Sequence, residues 1–306
     1  MAEITAAMVK ELREKTGAGM MDAKKALVEV NGNIDDAIDY LRKKGMAVAE
    51  KKAGRVANQG LVGVCVGDKC GALVELNSET DFVARNGEFQ EFLNETVTIA
   101  LKHKGDLDAI KKADMKGKNV EGALTDMIAK IGENMTLRQS AFLSVDEGVV
   151  VSYMHSAVVP NLGKIGVLVG LESKADTAVL SELGKKLAMH IAAAAPKFQT
   201  IESVDPKVLE HEKGIYAEQA KNSGKPANIV EKMIEGRVRK YYEEVVLMEQ
   251  AFIMDPDKKV KDVIADAAKA AGTEITLKGY VRYNLGEGLE KKEEDFAAEV
   301  AKQIGG

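Results

Sequence analysis

Four histidines and two cysteines are the first places to look for chemistry in this chain of 306 residues. His103, His155, His190 and His211 stand far apart in sequence. None has the i,i+4 partner or the nearby glutamate that a helical zinc site needs, so no metal set is expected. Cys65 and Cys70 flank a Gly67-Asp68 turn and could face each other across it. With no second pair, packed reduced thiols are the default reading, and a zinc or redox pair is the alternative. No glycine run ends in Gly-Lys-Ser or Gly-Lys-Thr, and no Gly-x-Gly-x-x-Gly follows a strand pattern, so a phosphate cradle is not expected. Gly17-Ala18-Gly19 precedes a helix and could hold an anion, although its apolar neighbours fit a tight inter-helix turn better. No serine sits in a nucleophile elbow, and the carboxylates are scattered over helix faces. The sequence therefore predicts no catalytic residue and no cofactor.

Binding is the better prospect, and one residue points to it. In Asn77-Ser78-Glu79-Thr80-Asp81-Phe82-Val83-Ala84-Arg85-Asn86 a strand pattern gives way to a helix pattern. Phe82, one of seven phenylalanines in a chain without tryptophan, sits at that junction. A large apolar ring there is either a core anchor or a group shown to a partner.

The totals bound the partner. Forty-three basic and 48 acidic residues leave a net charge of −5. That argues against a general phosphate-backbone binder, so direct nucleic-acid binding is not expected. No apolar run nears the roughly twenty residues a bilayer span needs. The Met-Ala-Glu-Ile-Thr start lacks the basic and apolar regions of a signal peptide. Two cysteines and thirteen methionines fit a reducing compartment. The expectation is a cytoplasmic protein with no membrane segment.

The elements that must hold these residues follow from the hydrophobic pattern. Residues 1–45 read as a three-helix bundle. Thr5 and Asn33 are placed as caps, Gly17-Ala18-Gly19 and Asn31-Gly32 as breaks, and Gly45 as the stop of the third helix. Residues 46–59, with Lys51, Lys52 and Arg55 among alanines, read as a basic, partly helical linker, either solvated or facing an acidic partner. From Leu61 the period changes to strand. Leu61–Val66 turns at Gly67-Asp68 and returns as Cys70–Leu76. A helix with Phe89, Phe92, Leu93 and Val97 inward follows. Residues 103–120 read as loop and frayed helix, then a helix ends at Gly132 and Met135–Leu143 forms a strand.

The chain then repeats itself. At an offset of 95 residues Gly71 falls on Gly166, Leu73 on Leu168, Leu76 on Leu171, Ser78 on Ser173 and Asp81 on Asp176. At an offset of 140, Gly132 falls on Gly272, Thr136 on Thr276 and Leu137 on Leu277. Two similar α+β units with antiparallel sheets are predicted, with extra residues inside the second. The units take residues 60–145, and 146–198 with 248–287. The extra residues, 199–247, read as an αα-hairpin whose faces cannot both be buried, so self-association through 199–247 is a possibility to test. Val245–Met254 reads as a strand, Asp255-Pro256-Asp257 as a turn, and Val260–Ala270 as a helix before the last strand. Residues 288–306 read as a charged terminal helix carrying Phe296. The repeat also bears on Phe82. Its counterpart is Thr177, so the position does not itself demand an aromatic ring.

Thr16-Gly17-Ala18-Gly19-Met20-Met21-Asp22-Ala23-Lys24-Lys25-Ala26-Leu27 resembles the N-terminal signature of the bacterial elongation factor Ts family. Thr80-Asp81-Phe82-Val83 resembles its second signature. Lys130-Ile131-Gly132-Glu133-Asn134 and Asp295–Val300 extend the likeness over the whole chain, inserted hairpin included. The resemblance implies a guanine nucleotide exchange factor that binds the GDP-bound and nucleotide-free forms of elongation factor Tu and is not an enzyme. It implies that Thr80, Asp81, Phe82 and Val83 dislodge the partner's magnesium region, with Phe82 as the wedge. It also implies partner contacts at Lys24, Met20, Met21, His155, Ile253, Met254 and Phe296. The longer Ala157–Lys164 stretch departs from the family form and puts the His155 contact in question. A non-catalytic adaptor using the N-terminal bundle, which resembles ubiquitin-associated domains, is the alternative.

Overall fold

Thr5 accepts a hydrogen bond from the Met8 N–H at 3.3 Å and so starts the first helix, α1 (Ala6–Thr16). Asn33 does the same for α3 (Ile34–Lys52), accepting from Asp35 and Asp36. With α2 (Met20–Glu29) these helices bury Leu12, Ala23, Ala26, Leu27 and Ala37 against one another. The computed structural model describes residues 4–221 and 226–289. Phe296 and the helix expected over 288–306 lie, from residue 290 on, outside the described residues.

Gly45 does not stop the third helix, which continues to Lys52. Gly45 is buried inside it, and a Cβ there would lie 3.5 Å from Ala129 on α7 (Val120–Ile131). It lies at a helix-on-helix contact and not at a terminus. The basic stretch from residue 46 is helix as far as Lys52 and irregular from there to Asn58, and Lys51 and Lys52 complement the negative end of the helix dipole.

The first α+β unit comprises β1 (Gln59–Val66), β2 (Cys70–Ser78), α4 (Asp81–Ala84), α5 (Gly87–Lys102), α6 (Leu107–Lys112), α7 and β5 (Met135–Ser144). The stretch read as loop and frayed helix holds the short α6 and, beyond that reading, a small hairpin, β3 (Asp114–Met115) with β4 (Lys118–Asn119). β1, β2 and β5 pair antiparallel in that order. Cys65 stands opposite Ala72, not Cys70, and both cysteines are free thiols. The hairpin register thus removes the direct facing that the short turn suggested.

The second unit repeats the pattern. β6 (Gly148–Val159), β7 (Leu162–Glu172) and β10 (Thr276–Asn284) pair antiparallel in that order, with α8 (Thr177–Ala194) on their outer face. The registers match: Leu76 pairs with Leu137 in one unit and Leu171 with Leu277 in the other. Beyond the end of β10, β7 reaches β1 through Leu162 and Gly163, joining both triplets into one six-stranded sheet. Their inner faces share a core of Val62, Val64, Leu73, Val145, Val150 and Leu168. Repeat-related glycines admit repeat-related leucines. A Cβ on Gly71 would lie 2.7 Å from Leu168 Cδ2, and one on Gly166 would lie 2.8 Å from Leu73 Cδ2.

The insertion is an αα-hairpin, α9 (Pro206–Lys221) and α10 (Ala227–Val245). Between Val245 and Met254 the chain is not one strand. Helix α10 ends at Val245, a 3-10 turn spans Leu247–Glu249, and β8 is only Ala251–Phe252. The expected turn at Asp255 is instead the start of β9 (Asp255–Lys259), which precedes α11 (Val260–Ala271). Leu247 and Phe252 are pulled into the second unit's core, which bends this stretch out of strand geometry.

Candidate functional site

Phe82 is exposed, at 77% of its possible surface, while Val83 and Ala84 beside it are buried. The ring sits on α4, a single turn closed by the Arg85 and Asn86 N–H groups donating to the Phe82 and Val83 carbonyls. Asn86 then caps the separate helix α5 by accepting from Glu88 at 2.8 Å. In the second unit the equivalent junction is one continuous helix, capped by Asp176 accepting from Ala178 at 2.7 Å. The break at Arg85-Asn86 makes α4 a short platform, with Val83 and Ala84 in the core and Phe82 on the outside.

Polar groups from distant parts of the chain fix that platform. The Thr80 N–H donates to Glu133 Oε2 at 3.0 Å, and the Thr80 hydroxyl donates to Glu133 Oε1 at 2.7 Å. The Ser78 hydroxyl donates to the Thr80 carbonyl at 2.9 Å. Glu79 accepts from the Asn134 N–H at 2.5 Å and pairs with Arg55 at 3.4 Å. The Asn134 amide donates to the Arg55 carbonyl at 2.7 Å, and Lys52 donates to the Gly132 carbonyl. Asp81 forms an i,i+4 pair with Arg85 at 3.3 Å. Lys164 approaches from β7 and donates to the Gly60 carbonyl at 3.3 Å. Burial lowers its pKa, nearby Asp81 raises it, and Arg85 lowers it again.

The other expected site residues lie on separate elements. Met20, Met21 and Lys24 are exposed on α2, beside an exposed Val28. His155 is exposed on β6, where its Nδ1 lies 3.2 Å from the Tyr153 hydroxyl. The Ala157–Lys164 stretch is a hairpin arm, not a loop, and Val159 near its tip packs on the first unit's core. Ile253 and Met254 are exposed at the turn between β8 and β9. Behind them, buried His190 accepts the Ile253 N–H on Nδ1 at 3.3 Å, so its proton sits on Nε2, 2.9 Å from Gln250 Oε1. Burial pushes the His190 pKa down, against a smaller upward pull from Gln250. These side chains lie on elements other than α4, which carries Phe82.

A groove of about 790 Å³ runs along α5 between the β3–β4 hairpin and Pro160. Its lysine is already paired, Lys116 with Glu91 at 2.7 Å and with Glu95. Among the described residues no group of three histidine, cysteine or carboxylate side chains could hold a metal, and no helix is long and apolar enough to cross a membrane. Glu133, Glu79 and Lys164 were not among the site residues read from the sequence. The repeat carried a signal for the first of these: Thr80 falls on Ala175 and Glu133 on Thr273, so only one copy has the pair.

The fold and this corner hold an apolar ring outward on a fixed platform. The chain belongs to the elongation factor Ts family, whose model matches residues 79–287. It is 57% identical over 307 residues to the elongation factor Ts of Rhodospirillum rubrum, covering 99% of each chain. It is 56% identical to that of Rhodospirillum centenum over the full length of both. With that of Caulobacter vibrioides it shares 52% identity over all of this chain and 99% of the relative.

Proposed function

We propose that this protein is a guanine nucleotide exchange factor in translation elongation. It binds elongation factor Tu in its GDP form, promotes GDP release by displacing the magnesium region, and stabilises the nucleotide-free state until GTP enters. It works by binding and does not itself make or break covalent bonds. The observation that carries this reading is Phe82, 77% exposed on a platform otherwise locked by buried apolar and polar contacts, in a chain of this family. The physics is linkage. A protein that binds the nucleotide-free state best weakens nucleotide binding by the same coupling free energy. Phe82 is the wedge, and Thr80, Asp81 and Val83 hold it. Lys24, Met20 and Met21 on the bundle, His155 on the β6–β7 arm and Ile253 and Met254 at the β8–β9 turn supply further contacts that hold the partner in place. The compartment is the cytoplasm, where translation takes place.

The test is release of fluorescent GDP from purified elongation factor Tu with and without the protein. Acceleration at substoichiometric concentration supports exchange, and an unchanged rate refutes it. A second reading, an adaptor that only binds through its N-terminal bundle, draws on the exposed Met20, Met21 and Val28. It expects binding to elongation factor Tu without any change in GDP release.

A further inference from the structure

We propose that Glu133 is a positioning residue: its carboxylate grips Thr80 and so fixes the direction in which Phe82 is presented. This rests on the wedge reading of Phe82. Thr80 stands at the N-cap of α4, with φ −122° and ψ 159°, yet its hydroxyl caps no backbone N–H. A threonine there ordinarily accepts from the second or third helical residue. Here the hydroxyl is turned away and donates to Glu133, whose other oxygen takes the Thr80 N–H. Two donors on one carboxylate fix orientation as well as position.

Glu133 is aimed by its own neighbours. Gly132, at φ +86°, ends α7 in the left-handed region and turns the chain toward β2. Lys52 holds the Gly132 carbonyl, and Asn134 binds both Glu79 and the Arg55 carbonyl. The segment after α7 is thereby tied to Glu79 on one side and to the end of α3 on the other.

The second unit is an internal control. It keeps Ser173 and Asp176 at the positions of Ser78 and Asp81. It has Ala175 for Thr80, Thr273 for Glu133 and Thr177 for Phe82. There the helix has an ordinary aspartate cap, the Ala175 N–H donates to Ser173 Oγ at 3.0 Å, and the Ser173 hydroxyl donates to the Glu274 carbonyl at 2.6 Å, so the tie to the segment after α11 is made without a carboxylate. The fold does not require the Thr80–Glu133 pair, and the pair occurs in the copy that carries the exposed ring.

The experiment compares GDP release from elongation factor Tu at saturating wild type, Phe82→Ala, Glu133→Ala, Glu133→Gln and the Phe82→Ala/Glu133→Ala double variant. Hydrogen exchange at the Thr80 amide is measured on each free chain. Glu133→Ala is expected to slow release about tenfold, the factor for losing one charge-assisted hydrogen bond's worth of orientation. The double variant is expected to be no slower than Phe82→Ala, because both changes remove the same action. Glu133→Gln keeps the shape and one acceptor, so it should fall between wild type and alanine, and it serves if alanine does not fold. The Thr80 amide should exchange faster in both Glu133 variants. Wild-type release by Glu133→Ala, full additivity in the double variant, or an unchanged Thr80 amide would each overturn the proposal. Phe82→Ala at the wild-type rate sinks the wedge instead. In that event a faster Thr80 amide still supports the grip, and an unchanged one removes it.

Discussion

Removing the Phe82 ring separates a presented group from a structural one. Full burial of a phenylalanine side chain is worth about 1.5–3 kcal/mol. With 77% of the residue exposed, most of that surface is available to a partner and little of it supports this fold. Phe82→Ala should therefore leave stability within about 0.5 kcal/mol of wild type, as for a surface substitution. If the ring is inserted in the transition state for GDP release and not in the resting complex, about 1–2 kcal/mol of barrier lowering is lost. That corresponds to a five- to thirtyfold slower rate. Stopped-flow release of fluorescent GDP at saturating protein reads the rate, and urea unfolding reads the stability. An unchanged rate would refute the wedge. A stability loss of several kcal/mol would show that the ring supports the corner in solution, contrary to its exposure in the structure.

Other expectations concern the frame. Gly166→Ala places a Cβ 2.8 Å from both Leu73 and Val62 in the shared core, and should cost about 1–3 kcal/mol in urea unfolding. Gly87→Ala, with nothing within 4 Å of the added Cβ, is the neutral control. His190 is held neutral by burial, below its ordinary pKa of 6.5. The unfolded chain takes up that proton first, so this contribution to stability is full above about 6.5 and declines as pH falls below it. Urea midpoints at about pH 7.5 and about pH 5.5 should show the decline, and His190→Gln should flatten it. Met20→Ala with Met21→Ala should weaken binding to elongation factor Tu by roughly tenfold while leaving release at saturation unchanged. A slower saturated rate would place those methionines in the exchange step itself.

Local pattern carried much of this protein. The strand period from Leu61, the helix caps at Thr5 and Asn33, and the stop at Gly132 depend on neighbours in sequence, and they were legible there. The two offsets were legible too, because repeated units repeat their apolar spacing, and the registers of β2 with β5 and of β7 with β10 follow them. Misreadings arose where a distant element decided. Gly45 looked like a stop, because the helix that packs against it, α7, lies far along the chain. The stretch from Val245 looked like a strand until the second unit's core drew in Leu247 and Phe252.

The sequence by itself determined that a phenylalanine stands at a strand-to-helix junction whose repeated counterpart is a threonine. It left open whether the ring points in or out. Only the tertiary structure decided that, by burying Val83 and Ala84 and by bringing Glu133 onto Thr80 from 53 residues away. The reason is physical. Periodicity reports which face of an element is apolar. The direction of one side chain at a junction depends on hydrogen bonds that close only when the whole chain has folded.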